Sequence, residues 1–394
     1  MSLLLSIALL GFAGDVRHYA DAVEVFSCAF DEDWDKNFDG WPDGWTRQRG
    51  LGYPHYVSMR ISDDASPVSS TCFRVDLDGG GAIAYSPPIP VSQLFGYVLE
   101  AYVRTDGLHH DWAFLSLSVL DAERRKIGTY VSNKTRATQW QRLRLGPLND
   151  LHAEARFVVV GLHVEPSGPY DLTGHAVFSN VWLGRLPRVE LATNEPFNLF
   201  NRADEVIVRC RISGVVEDQP GLRLEIRDTM GRLLHEKQVQ PVYEAAPQPP
   251  GETNESAETS LVASEVWTPP IPGPGFYRLR AIAQGAGTLR HERELNLAIL
   301  SPARADLGSE FGWSLPRGDR PMPLPALIQL LGQVGIHWVK YPLWSDSTDH
   351  PAGLDHLVNL VERLSAQDLE LVGMLSVPPK SLLDRFGGAS PSAA

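Results

Sequence analysis

The first 190 residues are dominated by short segments in which apolar and polar side chains alternate. Residues 97–103 (YVLEAYV), 113–119 (AFLSLSV) and 157–164 (FVVVGLHV) are three of these segments, and Gly, Pro, Asn and Asp separate them. A period of two places successive side chains on opposite faces of a β-strand. Because no stretch of helical periodicity interrupts the series, residues 23–190 are predicted to form an antiparallel β-sandwich. The size favours a jelly roll over a smaller immunoglobulin-type domain.

A second β region is predicted at residues 191–303, as an Ig-like β-sandwich. The alternation is clear in residues 206–212, 222–226, 276–282 and 295–300. Residues 244–265 differ, since they begin with a polar, Pro-rich stretch (EAAPQPPGETNESAETS). Such a stretch cannot bury enough apolar surface to order itself. We therefore predict a mobile loop at 244–265 inside this domain.

The pattern changes after residue 304. Strand-like apolar runs at 311–315, 337–341 and 369–375 alternate with stretches at 325–334 and 354–366, in which apolar residues recur at helical spacing. The order strand–helix–strand–helix–strand with apolar strands is typical of a parallel sheet covered on both faces. Residues 304–394 are therefore predicted to form an α/β unit.

The charge and the N-terminus restrict the partners and the compartment. The formal charge of −13 argues against a polyanionic partner such as nucleic acid, which requires a basic surface, whereas neutral sugars tolerate an acidic one. Residues 1–22 contain an apolar run before a small-residue cleavage site, as in a secretory signal peptide. We expect a secreted or periplasmic protein; a buried first strand or helix is the alternative. No later stretch is apolar and long enough to span a membrane.

An acidic loop has the spacing of a calcium-binding turn. Asp35, Asn37 and Asp39 alternate and are followed by a glycine, so oxygen ligands on alternate residues are wrapped by a tight turn. Asp43, at the ninth position, is a further candidate ligand. The twelfth position holds Thr46 rather than the Glu of an EF-hand. The loop resembles the shorter calcium loops of extracellular modules, so we expect structural calcium; a solvated, metal-free turn is the alternative.

Strand parity also predicts a surface for sugar. Tyr102, Arg104, Trp112 and His163 alternate with apolar residues in their strands and are expected to lie together on one outward face of the sandwich. An exposed aromatic ring offers a flat surface for a pyranose, and the polar groups suit its hydroxyls. We therefore expect a polysaccharide or glycan partner at these four residues. The alternative is that Trp112 packs under a loop or against the next domain.

Several segments resemble the modules of bacterial glycoside hydrolases. Residues 86–91 (SPPIPV), followed by the strand at 97–104, and residues 178–183 (FSNVWL) are similar to sequences that recur in jelly-roll carbohydrate-binding modules. Residues 305–379 resemble the first strands and helices of a (β/α)8 glycosidase of the large retaining clan, with residues 335–340 (GIHWVK) on the second strand. Lys340 stands where that clan usually has Arg.

The resemblance implies the carbohydrate-binding N-terminal portion of an exported glycoside hydrolase. The catalytic Glu residues of that clan end the fourth and seventh strands, and a closed barrel takes about 250 residues. Only three strands are predicted here. An incomplete (β/α)8-barrel fragment is therefore expected, without catalytic residues and inactive as given. A non-catalytic secreted carbohydrate-binding or adhesion protein is the alternative.

Overall fold

The structure, a computed structural model, describes residues 22–216, 219–246, 260–285, 290–301, 312–315, 322–343, 351–375, 378 and 384–385. Most of the described residues lie in β-strands. The first region contains β1 (Val23–Cys28), β2 (Thr46–Arg47), β3 (Ser58–Ser62), β4 (Cys72–Asp76), β5 (Ala82–Tyr85), β6 (Ile89–Pro90), β7 (Phe95–Asp106), β8 (Asp111–Leu120), β9 (Lys126–Val131), β10 (Gln141–Leu148), β11 (Phe157–Pro166) and β12 (His175–Thr193).

These strands form two antiparallel sheets that pack face to face. Sheet I contains β1, β3, β4, β7, β10 and β12, and sheet II contains β2, β5, β6, β8, β9 and β11. Alternate side chains of both sheets meet in one core, which includes Leu99 and Ala101 of β7, Leu115 of β8 and Leu162 of β11. Each of these four is at most 1% exposed. The predicted antiparallel sandwich is confirmed.

The second region is also a β-sandwich with its own core. Its strands are β13 (Leu199–Phe200), β14 (Val208–Val215), β15 (Gly221–Asp228), β16 (Leu233–Val239), β17 (Glu244–Ala245), β18 (Leu261–Trp267), β19 (Gly275–Gln284) and β20 (Arg290–Ile299). Sheet III contains β13, β15, β16, β19 and β20, whereas β14, β18 and β17 continue sheet I beyond β12. Ile212 of β14 and Leu224 of β15 lie in the core between them.

The predicted mobile loop at 244–265 is wrong at both ends. Residues 244–245 form β17, and β18 begins at Leu261 and pairs with β14. Ala263 and Trp267 are 3% and 6% exposed. Apolar side chains that follow the Pro-rich stretch therefore bind this strand to the second core. Residues 247–259 lie outside the described residues.

The strand β12 crosses the predicted domain boundary at residue 190. Residues 175–187 pair with β7, whereas residues 188–193 pair with β14 of the second sandwich. Across the junction, Arg188 Nη1 donates a hydrogen bond to Gln93 O at 2.6 Å, and Ser213 Oγ donates one to Leu94 O at 2.8 Å. One hydrogen-bonded strand thus belongs to both sandwiches.

The C-terminal unit has the predicted strand and helix order. Its elements are β21 (Gly312–Ser314), α1 (Leu324–Gln333), β22 (Trp338–Pro342), α2 (Pro351–Ser365) and β23 (Glu370–Met374). β22 pairs in parallel with both β21 and β23.

The helices of this unit share one side of its sheet. Val339 and Tyr341 of β22 lie in one core with Leu331 of α1 and Leu360 of α2. Val372, on the other side, is 42% exposed. The expectation that both faces of the sheet are covered is therefore wrong for the described residues. Successive right-handed crossovers along a sheet place both helices on the same face.

The predicted signal peptide at residues 1–22 lies outside the described residues except for Ala22, so export stays a prediction. Among the helices that the structure describes, none is both long and apolar enough to cross a membrane.

The junction of the sandwiches depends on Gly214 of β14. Its φ is +74°, and a Cβ atom there would lie 2.5 Å from Phe95 Cδ1 and 2.7 Å from Leu94 O. In Gly214→Ala the new Cβ atom would clash with these atoms, and alanine would be forced into the left-handed backbone region. We therefore predict a loss of about 2–4 kcal/mol of unfolding free energy. Gly231→Ala is the matched control, because its φ is +79° with nothing within 4 Å; it should lose about 1 kcal/mol. Equal losses in denaturant unfolding of the full chain would contradict the tight junction.

Candidate functional site

The four residues predicted to bind sugar lie on two opposite faces of the first sandwich. Tyr102 and Arg104 are on β7 of sheet I, whereas Trp112 and His163 are on β8 and β11 of sheet II. Their neighbours in each strand are in the core, so the outward direction was predicted correctly. The prediction that the four residues share one face is wrong, because the chain passes from one sheet to the other between β7 and β8. Strand parity does not reveal which sheet a strand joins.

The outer face of sheet II is centred on the antiparallel pair β8–β11. Its register forms three cross-strand pairs: Trp112 with Glu165, Phe114 with His163, and Ser116 with Gly161. The residues between them, such as Ala113 and Leu115, are fully buried in the core. We call the surface formed by these three pairs and Tyr85 of β5 the aromatic face.

His163 links two polar groups across the aromatic face. Its Nδ1 lies 2.6 Å from Glu165 Oε1, and its Nε2 lies 2.7 Å from Ser116 Oγ. One tautomer satisfies both contacts: Nδ1–H donates to the carboxylate, and Nε2 accepts from the hydroxyl. The imidazole also stacks on Phe114, with ring centroids 4.5 Å apart. It therefore holds the Glu165 carboxylate in a fixed position.

The order Ser116–His163–Glu165 is that of a nucleophilic triad, but access excludes hydrolysis here. Ser116 is 1% exposed and His163 is 7% exposed, so a substrate carbonyl cannot reach Ser116 Oγ in this arrangement. A triad acts only when its nucleophile can contact the substrate. The chain of hydrogen bonds is therefore a positioning element for Glu165.

Gly161 provides the space for these hydrogen bonds. A Cβ atom at this position would lie 2.4 Å from Ser116 Oγ and 2.6 Å from His163 Nε2, closer than non-bonded atoms approach. A glycine inside a strand often marks such a close approach. The glycine in residues 157–164 was thus a sequence signal for this arrangement.

Two tyrosines that sequence reasoning missed, Tyr53 and Tyr85, lie near Glu165, and Tyr170 lies near Tyr53. Burial raises the pKa of Tyr53, and the nearby Glu165, Tyr85 and Tyr170 raise it further. The pKa of Tyr85 is raised by burial and then by Glu165. Tyr53 and Tyr85 are partly exposed, and Tyr170 is 51% exposed. Tyr53 and Tyr170 lie in loops, where no periodicity indicates direction, and the pairing of β5 with β11 is a long-range contact.

Trp112 is partly exposed at the end of this surface. Its Nε1 donates to Ser167 Oγ at 3.0 Å, and the guanidinium carbon of Arg136 lies 3.6 Å from its ring centroid. Arg136 is itself anchored, since its Nε and Nη2 donate to the carbonyl oxygens of Asp111 and His110. One side of the indole is therefore covered by a cation, as the packing alternative anticipated in part.

Two buried aspartates fix the turn that leads into β8. Asp171 Oδ2 accepts hydrogen bonds from the backbone N–H groups of His109, His110 and Asp111, each at 2.8 Å. Although burial opposes it, these bonds hold the pKa of Asp171 below its usual value. Asp111 is fully buried, and burial raises its pKa to about 6. This anchored turn sets the position of Trp112.

Tyr102 and Arg104 belong to a surface where charges are already paired. Arg142 Nη2 donates to the Tyr102 hydroxyl at 2.7 Å and lies over the Tyr102 ring. Arg104 forms an ion pair with Asp64 at 3.5 Å and lies over the ring of Trp140. Both predicted residues are thus engaged with their neighbours in sheet I.

The acidic loop uses its carboxylates on its own backbone. Asp35 accepts hydrogen bonds from the N–H groups of Asp39 and Gly40, and Asp39 accepts one from the N–H of Trp41. Asp43 accepts one from Lys36 N at 3.1 Å. The side chain of Asn37 donates to Asp39 Oδ2 at 3.0 Å.

The structure accounts for the order of this loop without an ion. In the part of the chain that the structure describes, no group of three or more His, Cys, Asp or Glu side chains is arranged to hold a metal. Calcium therefore stays a prediction from the spacing of Asp35, Asn37, Asp39 and Asp43.

The structure is similar to several solved structures at low sequence identity. The enzymatically active domain of tailspike protein 4 of bacteriophage CBA120 is 14% identical with a TM-score of 0.29, over 36% of this chain and 20% of that chain. A xylan-binding carbohydrate-binding module from Paenibacillus barcinonensis is 10% identical with a TM-score of 0.30, over 42% of this chain and 96% of that chain. The glycoside hydrolase domain of Endo-D from Streptococcus pneumoniae R6 is 9% identical with a TM-score of 0.26, over 66% of this chain and 37% of that chain. No family model and no curated protein matches the chain.

Two explanations for the order of the acidic loop, its hydrogen bonds and a bound calcium ion, can be tested separately. Asp35→Ala removes two hydrogen bonds to the backbone, so we predict a loss of about 1–2 kcal/mol of unfolding free energy in the presence of a chelator. Asp33→Ala, a nearby exposed carboxylate, is the control and should lose much less. Equal stability of Asp35→Ala and wild type would contradict the hydrogen-bonded loop.

Calcium binding is measured with the same proteins. An ion that binds only the folded state raises the melting temperature by mass action. The calcium hypothesis predicts a rise at millimolar calcium chloride for wild type and Asp33→Ala, and no rise for Asp35→Ala. An unchanged melting temperature of the wild type at millimolar calcium chloride would contradict the calcium hypothesis.

Proposed function

We propose that the first sandwich is a carbohydrate-binding module and that its ligand lies on the aromatic face. The observation that carries the proposal is the environment of Glu165. This carboxylate is partly exposed, fixed by His163, and surrounded by the partly exposed rings of Tyr53, Tyr85 and Trp112. A sugar presents C–H groups to aromatic rings and donates its hydroxyls to fixed acceptors, so this combination suits a pyranose.

The opposite side of the sandwich supports this choice by contrast. A cavity of about 370 Å³ there is lined by residues that include Trp34, Trp182 and Asp31. The ring of Trp182 lies against Gly184 of its own strand, so that a Cβ atom on this glycine would be 2.1 Å from the ring. Trp182 is 9% exposed. Trp182 therefore offers no exposed ring to a ligand, and the aromatic surface of this cavity is limited to the partly buried Trp34, whose ring also contacts Phe26.

We also propose a jelly-roll topology for the first sandwich and an Ig-like topology for the second. The two-sheet antiparallel packing of both regions supports these assignments. In this proposal the second sandwich is a spacer that β12 joins rigidly to the binding module.

For the C-terminal unit we propose the start of a (β/α)8 barrel of an exported glycoside hydrolase. Its sequential parallel strands and one-sided helices support the proposal. A further support is that apolar side chains of α2 outside its buried face are exposed, with Leu354 and Val358 at 53% and 54%. In a barrel, neighbouring helices cover such positions. We assign no catalytic role to any described residue, and a non-catalytic binding or adhesion protein is the second candidate function.

Trp112→Ala should weaken binding to the polysaccharide by about 1–3 kcal/mol, because it removes an aromatic anchor beside Glu165. Trp140→Ala is the matched control: it is also a partly exposed tryptophan beneath an arginine, but it belongs to the opposite face. Affinity electrophoresis of the full chain in gels containing xylan, mixed-linkage glucan, mannan or polygalacturonate measures the change.

Three outcomes contradict the proposal. Binding to no polysaccharide would reject the module, and equal weakening by both variants would reject the aromatic face. Loss of about 3–5 kcal/mol of unfolding free energy in Trp112→Ala with unchanged affinity would make Trp112 a packing residue.

A further inference from the structure

An isolated backbone bridge between β8 and residue 135 places two basic side chains beside the aromatic face. Ala113 and Thr135 exchange two hydrogen bonds, Ala113 N to Thr135 O at 3.0 Å and Thr135 N to Ala113 O at 2.9 Å. Both residues are buried. In an antiparallel bridge the residues on either side also become neighbours and point to the other face. This register brings Lys134 next to Phe114 and Arg136 next to Trp112.

The side chains occupy those positions. Lys134 Nζ lies 5.0 Å from the centroid of the Phe114 ring, and the guanidinium of Arg136 lies over Trp112. Both contacts are of the cation–π type, which orients a cation without neutralising it.

Lys134 has no acidic partner among the residues that the structure describes, and Arg136 forms no described ion pair, although the buried Asp111 carboxyl lies close enough to interact with its charge. Arg136 donates only to backbone carbonyls, and Lys134, which is exposed, takes part in no described ion pair or hydrogen bond. The outer face of sheet I differs, since its arginines Arg60, Arg74 and Arg104 are all paired with Asp64 or Asp76. The net charge of −13 disfavours polyanions for the chain as a whole, but Lys134 gives this surface one cation that no described carboxylate neutralises.

The polar groups of the aromatic face are therefore divided between its two sides. Glu165 and the tyrosines lie on the side of β5 and β11, and Lys134 and Arg136 lie on the side of β8 and β9. The first side accepts hydrogen bonds from hydroxyls. The second side can donate to a carboxylate, which forms stronger, charge-assisted hydrogen bonds.

We propose that the aromatic face selects acidic polysaccharides, with Lys134 as the residue that recognises the carboxylate of a uronic acid. This inference rests on the proposed carbohydrate-binding function and names its substrate class. Lys134 is the better recognition group of the two cations, because Arg136 already uses Nε and Nη2 to hold the turn before β8.

The test uses polymers that differ only in their carboxylates. Polygalacturonate, alginate and glucuronoxylan are each compared with the same polymer after reduction of its carboxyl groups to alcohols. The full chain should bind at least one acidic polymer more tightly than its reduced form. Lys134→Gln should lose about three- to tenfold in affinity for the acidic polymer and little for the reduced one. The preference of wild type should also shrink at 0.5 M salt.

Two further variants control for folding and for overall charge. Lys134→Arg should retain the preference, because it keeps the positive charge. Lys126→Gln removes the same charge from an exposed position of β9 near the far end of β8, and it should leave the preference unchanged. Melting temperatures of all variants establish that the fold is intact.

The outcomes separate this inference from the proposed function. Equal affinity of wild type for acidic and reduced polymers would overturn the acidic preference and leave carbohydrate binding in place. Equal losses in Lys126→Gln and Lys134→Gln would overturn the role of Lys134. Binding to neither form of any polymer would reject the proposed function, and the inference with it.

Discussion

The backbone pairing of β12 is the constraint on which the rest of the β structure depends. This strand, His175–Thr193, pairs with β1, β4 and β7 in the first sandwich and with β14 in the second. Its inward residues, among them Phe178, Val181 and Leu183, are fully buried. A shift of one residue would turn these side chains toward solvent. The register of sheet I and the junction between the sandwiches are therefore determined together.

The aromatic face takes its rigidity from this framework. Leu115 and Leu162 anchor β8 and β11 to the core against sheet I, and Asp171 fixes the turn before β8 through three backbone N–H groups. The outward groups are held by their strands, by the His163 hydrogen bonds and, for Trp112, by contacts with Ser167 and Arg136. A site on rigid strands places its polar atoms more accurately than a site on loops, and a preorganised surface loses less entropy on binding.

Sequence patterns predicted the local structure well and the long-range structure poorly. Alternation identified the strands and correctly turned Tyr102, Trp112 and His163 outward, because that depends only on neighbouring residues. It could not assign β7 and β8 to different sheets, since strand pairing depends on contacts far apart in the chain. For the same reason it missed Tyr85. The predicted loop at 244–265 was too long, because composition alone did not reveal that residues after 260 pair with β14.

The central claim is that the outer face of sheet II binds the ligand. The most direct measurement is a crystal structure of the full chain with an oligosaccharide from the polysaccharide that it binds most tightly. The account predicts a sugar ring against Trp112 or the tyrosines, with a hydroxyl within hydrogen-bond distance of Glu165. A sugar bound instead at Tyr102 and Trp140 on sheet I, or in the cavity beside Trp34, would contradict it.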